Sequence, residues 1–324
     1  MDNGCAMEQR LLGNTGLMVS RLCFGTLVMG PLQRNLSPEA GGALLAEAYR
    51  RGVNFIDTAE LYETYAHIRS SIRQSGITPV VATKSYAFSA DGAKQSVDKA
   101  LRETGLDRID IFLLHEQESE HTLRGHREAL DALLEMKREG LLRAVGISTH
   151  HVAAVRAAAS MPEIDVIHPL INLSGLGICD GTAAEMTAAI GAAHEAGKGV
   201  YGMKVFGGGN LLSRWQACLS FALAMGELDA IAVGMQHVDE LTANLAAFGA
   251  HASGKPIPAA PVSATTRQKA LHVDFWCEGC GLCVDRCAQR ALVLEGGRAV
   301  PIPERCVLCG YCAAVCPVFA IKVY

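Results

Sequence analysis

No stretch of the 324-residue chain is apolar over the roughly 18 residues that a membrane-spanning helix needs. A basic stripe of the kind that tracks a phosphate backbone is also missing, since 29 basic residues stand against 33 acidic ones along the chain. Neither a membrane span nor a nucleic-acid partner is therefore expected. The opening "MDNGCAMEQR" has no basic region followed by an apolar one, so no secretory signal is expected, and Met7 stands as a second candidate start. A cytoplasmic location follows as the expectation. Twelve cysteines without such a signal speak against a disulfide framework and for metal or cluster ligation.

The cysteines are unevenly placed. Cys5, Cys23, Cys179 and Cys218 are scattered, and the other eight lie between Cys277 and Cys316. Cys23 and Cys179 read most simply as small buried hydrophobes. The length suits one domain of about 250 residues plus a small one. From residue 20 to 250, strand-like runs alternate with amphipathic stretches. The runs are "RLCFG", "VNFIDT", "VVATKS", "IDIFLLH", "RAVGIS", "DVIHPLIN", "GVYGMKV" and "AIAVG". Between them, Ser37-Pro38 offers an N-cap with proline at the first helical position, and "TLRGHREALDALLEMKREG" has helical spacing ending in Gly140. Eight strand–helix alternations predict an α/β protein, and eight is the count that closes a TIM barrel, (β/α)8. The alternative is an open doubly wound sheet, but no G-x-G-x-x-G follows the first strand.

These patterns predict a barrel over 1–252 and a proline- and alanine-rich linker over 253–268. A small C-terminal domain over 269–324 follows. Its two halves, "CEGCGLCVDRCAQRAL" and "CVLCGYCAAVCPVFAI", share C-x2-C-G-x-C-x3-C-x3-A at a period of 29. Three cysteines spaced C-x2-C-x2-C wrap three corners of one cubane, and in two-cluster ferredoxins the fourth comes from the other repeat. That assigns Cys277, Cys280, Cys283 and Cys316 to one cluster, and Cys306, Cys309, Cys312 and Cys287 to the other. The region resembles a bacterial two-cluster 4Fe–4S ferredoxin, implying a ferredoxin-like α+β domain. Structural zinc is the competing reading, but it prefers two separated C-x2-C pairs and four ligands. A second alternative keeps the clusters as staples for a tail too small to fold alone.

In a barrel, the ends of successive strands open on one face. "DTAELY" brings Asp57 and Tyr62 there, "TKS" Lys84, and "LLH" His115. Each has a bland reading alone. Charged groups ending three successive apolar strands are harder to dismiss, because a buried charge without a partner is costly. Gly207-Gly208-Gly209 would suit a pyrophosphate, though such runs are common in turns. Glu60, Glu63, Glu116, His150 and His151 read as solvated loop residues near the mouth.

Over residues 8 to 250 the chain resembles the aldo-keto reductases: "RLLGNTGLMVSRLCFGT", "DTAELY", "ATKS", "LLH", "VGIS" and "ELTANLAAF" occur in family order. The resemblance implies reduction of a small-molecule carbonyl substrate. Tyr62 would be proton donor, Lys84 paired with Asp57 would lower its phenol pKa, and His115 would orient the carbonyl. It also implies NADP or NAD held by Ser148, His168, Asn172, Lys204, Gly207, Gly208 and Asn244. Several of these depart from the family: His168 replaces a common glutamine, "MK" (Met203, Lys204) replaces a stacking tyrosine, and "VGMQHVDELTANL" lacks the base that grips a 2′-phosphate. A flavin, for which no motif is present, is the third option for the barrel. The joint expectation is an oxidoreductase of anaerobic metabolism, coupled through two 4Fe–4S clusters to an external donor or acceptor such as ferredoxin. The alternatives are a redox sensor or electron carrier with a non-catalytic barrel, and an ordinary NAD(P)H-dependent reductase with structural clusters.

Overall fold

The eight expected runs form a closed parallel barrel. The computed structural model describes residues 7–259, 270–306 and 310–323. Cys5, Cys309 and residues 260–268 of the expected linker lie outside the described residues. A hairpin of β1 (Gln9–Leu11) and β2 (Met18–Ser20) comes first. The barrel strands are β3 (Leu22–Gly25), β4 (Phe55–Asp57), β5 (Val80–Ser85), β6 (Ile109–Leu114), β7 (Leu142–Thr149), β8 (Val166–Pro169), β9 (Gly199–Gly202) and β10 (Ala230–Gly234). They pair in chain order, and the barrel closes where Ile231 of β10 lies beside Leu22 of β3.

Helices cross over on the outside. They are α1 (Pro38–Arg50), α2 (Tyr65–Ser75), α3 (Ala90–Thr104), α4 (Glu120–Gly125), α5 (Arg127–Arg138), α6 (Val152–Ala159), α7 (Ala183–Glu195), α8 (Trp215–Ala224) and α9 (Val238–Ala252). Ser37 caps α1 by accepting the Ala40 N–H at 3.2 Å, with Pro38 at the first helical position. "TLRGHREALDALLEMKREG", expected as one helix, is broken at His126 into α4 and α5. Gly125, a weak helix former, stands at the break. Gly140 follows α5 at φ +83°, in the left-handed region that favours glycine after a helix.

Side chains alternate across each strand, and the core splits accordingly. One set, including Cys23, Phe55, Ala82, Ile111, Ala144 and Val166, fills the barrel above a floor of Leu12, Leu17 and Val19 from the hairpin region. The neighbouring set, such as Phe24, Ile56, Val81, Phe112, Val145 and Ile167, packs outward under the helices.

The tail is α+β. Strands β11 (Leu271–Val273) and β14 (Ile321–Val323) pair antiparallel, as do β12 (Leu292–Glu295) and β13 (Arg298–Pro301), and α10 (Leu282–Arg286) carries Cys283. The 29-residue repeat is visible in the backbone. The Ala291 N–H donates to Cys287 Sγ at 3.3 Å, and the Ala320 N–H to Cys316 Sγ at 3.2 Å. The residues just before these alanines, Arg290 and Phe319, are both left-handed, at φ +49° and +53°.

Candidate active site and cysteine centres

The alternation that buries Phe55, Ala82, Ile111, Ala144 and Val166 inside the barrel also carries the polar residues inward. Two residues on from Phe55 is Asp57, from Ala82 is Lys84, from Val166 is His168. Four on from Ile111 is His115, and from Ala144 is Ser148. All five are buried at the strands' C-terminal ends. Tyr62 lies just above them on the short turn Glu60–Tyr62 after β4.

At the centre is an ion pair. Lys84, wholly buried, has its Nζ at 2.8 and 2.9 Å from the two carboxylate oxygens of Asp57 and at 2.7 Å from the Thr58 carbonyl. Three acceptors thus meet its three protons. The Tyr201 hydroxyl donates to Asp57 Oδ1 at 3.0 Å. The pair is compensated inside the barrel, as a buried charge must be.

Lys84 Nζ lies 4.9 Å from the Tyr62 ring centroid, and the Tyr62 and His115 rings meet edge-on at 5.9 Å. Burial pushes the Tyr62 phenol well above its ordinary pKa, and the Asp57 and Glu116 carboxylates push it the same way. This runs against the expectation that Lys84 lowers it. The ammonium is engaged by Asp57 and Thr58, so it meets the phenol as half of a neutral pair. Tyr62 is therefore a protonated donor through the neutral range. Burial, then Lys84 and Lys204, hold His115 well below the usual histidine value, so its ring is neutral. It stacks on Tyr86 at 4.4 Å, and its buried Nδ1 has no hydrogen-bond partner among the described residues.

A second polar group sits at the mouth. Lys204, left-handed at φ +58°, places Nζ 2.8 Å from His150 Nε2. Burial, then Lys204, push His150 well down, so its Nε2 accepts from the ammonium. Burial brings Lys204 itself to about 8. Glu116 Oε1 stands 3.8 Å from His150 Nε2, and the Tyr86 hydroxyl donates to Glu116 Oε2 at 2.5 Å. His150, expected as a solvated loop residue, is 8% exposed. It continues the inward alternation two residues past Ser148, and that parity was its signal. Tyr201 and Tyr86 gave no signal beyond an apolar strand and a loop. Glu60 holds α3 instead, accepting from Ser96 Oγ at 2.7 Å and from Lys99 Nζ at 3.3 Å. Cys179, expected to be buried, is exposed because its loop carries it away from the core.

The residues implied for a nicotinamide are dispersed in role. Ser148 Oγ accepts the Glu116 N–H at 2.9 Å. His168 donates from Nδ1 to the Tyr201 carbonyl at 2.6 Å and stacks on that ring at 3.8 Å, and burial lowers it to about 4. Asn172 ties its own loop, donating to the Leu176 carbonyl at 2.8 Å and accepting the Leu176 N–H at 3.0 Å. The N–H groups of Gly207 and Gly209 bond within their turn, while Gly208 lies in it at φ +62°. Asn244 donates back along α9 to the Glu240 carbonyl at 2.8 Å, leaving its buried Oδ1 without a partner among the described residues.

In the tail, burial together with the neighbouring Cys277, Cys316 and Cys280 pushes the Cys283 thiol up to about 11, so the structure brings these four together. Cys312 is pushed up mainly by burial, with Cys287 and Cys306 acting the same way. Those three line one cavity of about 120 Å³, with Tyr311 and Arg286 on its wall. Among the described residues the crossed grouping thus joins Cys277, Cys280 and Cys283 of the first repeat with Cys316 of the second, and Cys306 and Cys312 of the second with Cys287 of the first. Besides the repeat's two N–H···S bonds, the Ala299 N–H donates to Cys277 Sγ at 3.4 Å. Soft sulfur donors around a small cavity, with amide N–H groups aimed at them, suit an iron–sulfur cluster.

The eight-stranded barrel is shared with known proteins. The aldo/keto reductase family model matches residues 21–217, more than half of the chain, and the chain belongs to that family. A 4Fe–4S dicluster domain model matches residues 276–320. L-galactose dehydrogenase of Arabidopsis thaliana is 31% identical over 156 residues, 44% of this chain and 48% of that protein. The NADH-specific methylglyoxal reductase of Escherichia coli is 26% identical over 192 residues, 50% of this chain and 58% of that protein. The chain spans about half the length of the curated relatives it matches. A Pseudomonas aeruginosa structure assigned to the aldo-keto reductases is 26% identical, with a TM-score of 0.66, covering 78% of this chain and 98% of that one.

Proposed function

We propose that the chain is an oxidoreductase that reduces a small carbonyl compound at the barrel mouth, with Tyr62 as proton donor, coupled to two 4Fe–4S clusters in the tail. The observation that carries this reading is the protonated Tyr62 phenol beside the neutral Asp57–Lys84 pair, facing the neutral ring of His115. Reduction of a carbonyl to an alcohol takes up two electrons and two protons. Tyr62 gives one proton to the carbonyl oxygen as negative charge develops there. His115 orients the carbonyl. The Lys204–His150 pair holds a further proton at the mouth.

Cys277, Cys280, Cys283 and Cys316 would hold one cluster, and Cys306, Cys309, Cys312 and Cys287 the other. When bound, the clusters supply single electrons, replenished by an external one-electron carrier such as a reduced ferredoxin. Clusters near a surface suit a cytoplasmic setting low in oxygen. The donor set implied for NADP or NAD fits incompletely, since His168 and Asn172 are committed within the protein and the Gly207 and Gly209 amides within their turn.

The relatives' names support small carbonyl compounds, an aldose in one case and the dicarbonyl methylglyoxal in the other, and methylglyoxal is the first probe to try. Anaerobically purified protein should contain about eight iron and eight sulfide per chain. Clusters reduced with dithionite should be reoxidised by methylglyoxal in the parent and not in Tyr62→Phe, at equal cluster content. Turnover in Tyr62→Phe matching the parent would refute the role of Tyr62, and zinc in place of iron the role of the tail.

A further inference from the structure

The tail enters the barrel's mouth with one side chain. Phe319 follows Cys316 by three residues, and its ring is 5% exposed. It lies between two glycines from different barrel loops, Gly177 after β8 and Gly208 after β9. A Cβ on Gly177 would stand 2.2 Å from one ring carbon of Phe319, and a Cβ on Gly208 would stand 2.6 Å from another. At both positions only glycine leaves room for the ring. On its barrel side the ring meets the two residues of the mouth's second polar group. Lys204 Nζ is 4.6 Å from the ring centroid, a cation–π contact, and the His150 ring stands edge-on at 6.4 Å. A second bridge lies nearby, from Asn210 Nδ2 to the Ala313 carbonyl of the tail at 3.4 Å.

We propose that Phe319 is a positioning residue of the active site, holding the Lys204 ammonium against His150, so that the barrel's polar mouth is complete only when the tail is docked. The inference rests on the reductase reading above, since it assigns that site a component from the tail. The geometry gives the reason. Among the described residues, the long, flexible Lys204 side chain has one hydrogen-bond partner, His150, and one flat face covering it, the Phe319 ring. With the ring removed, water reaches the ammonium and its side chain regains the rotamers that the wedge now forbids. Glu116, Lys84, Lys322, Cys179, His115 and His168 also lie within electrostatic reach of Lys204, and none of them replaces the ring. The same wedge places Cys316 three residues from a side chain in contact with the mouth.

The test needs no substrate. Competitive acetylation of lysines in the anaerobic holoprotein, read by mass spectrometry across pH, gives the reactivity and apparent pKa of Lys204. In Phe319→Ala, compared at a pH where Lys204 is deprotonated in both proteins, Lys204 should label about tenfold faster relative to the other lysines, the scale of losing roughly 1.4 kcal/mol of cover. Its apparent pKa should move up from near 8 toward the ordinary lysine value. Lys84 labelling and iron content should stay as in the parent. Phe319→Leu, which keeps an apolar wedge without the π face, should fall between. Equal Lys204 labelling and pKa in parent and Phe319→Ala, at equal iron content, overturns the proposal. Loss of iron in Phe319→Ala makes Gly208→Ala the deciding variant, because it crowds the ring's seat from the barrel side. Labelling of Lys204 must then rise there, or the proposal fails. Iron content and Tyr62→Phe in the parent background report separately on the reductase reading.

Discussion

Lys84→Met is the most informative single change in the barrel. The variant keeps the length and apolar stem of the side chain and deletes three short contacts, to both Asp57 oxygens and to the Thr58 carbonyl. What remains is a carboxylate 5% exposed, with the Tyr201 hydroxyl as its hydrogen-bond donor at 3.0 Å. Breaking a buried pair by removing one partner costs about 3–5 kcal/mol, because the other charge is left uncompensated. Set against a domain stability of about 5–15 kcal/mol, that is a large fraction. The charge, not the missing atoms, is the predicted cause. Adding Asp57→Asn to Lys84→Met should therefore recover about 1–3 kcal/mol, a coupling of the size seen for residues in contact. Urea unfolding followed by far-UV circular dichroism under anaerobic conditions measures both. Cluster absorbance recorded in parallel keeps the tail's transition apart from the barrel's. A loss below about 1 kcal/mol in Lys84→Met, or a double variant no more stable than the single, would refute the account of Asp57–Lys84 as a mutually dependent pair.

Two further outcomes test the packing and the mouth. A Cβ at Gly146 would stand 1.9 Å from the Val166 carbonyl oxygen, so Gly146→Ala must push β7 from β8 and should cost at least about 3 kcal/mol in a thermal scan; Gly191→Ala, with nothing within 4 Å, should stabilise by about 0.5–1 kcal/mol as its helical control. Burial holds Lys204 at about 8 against an ordinary 10.5, so its charged form costs stability in full below pH 8, and that cost fades as pH rises toward 10.5; the melting temperature of Lys204→Met relative to the parent should accordingly fall between pH 8 and pH 10, and a difference constant with pH would contradict the burial of the ammonium.

The barrel was legible because its strands are buried on both faces. Such strands are continuous apolar runs, and amphipathic helices separate them cleanly. All eight runs became strands within a few residues of their bounds. Asp57, Lys84 and His115 were legible because each ends an apolar run on the same parity as its interior residues. Tyr201 was not, since an aromatic in "GVYG" looks like any core residue. Its bond to Asp57, 144 residues away, exists only once the barrel closes. The effect of Lys84 on Tyr62 was misjudged for a related reason. Sequence places the two charges near each other but does not say which acceptors take the ammonium's protons, and here Thr58 and Asp57 take them. Cys179 shows the limit of composition: a cysteine outside the cluster motif was read as core, and its loop left it exposed.

The residue that seats the tail on the barrel was the least legible feature, and the repeat explains why. Duplication gave both halves the same backbone, down to the N–H···S bond and the left-handed residue before each alanine. At that shared position the halves differ. Arg290 is exposed, whereas Phe319 is buried between two barrel glycines. A pattern search keeps what the repeats have in common, which is the ligand set. The docking contact lies in what they do not share, one apolar ring at a position where its twin carries a charge. Exchanging the two residues keeps composition and both ligand sets, so a tail that still folded but no longer covered Lys204 would locate the specificity of docking in that single asymmetry.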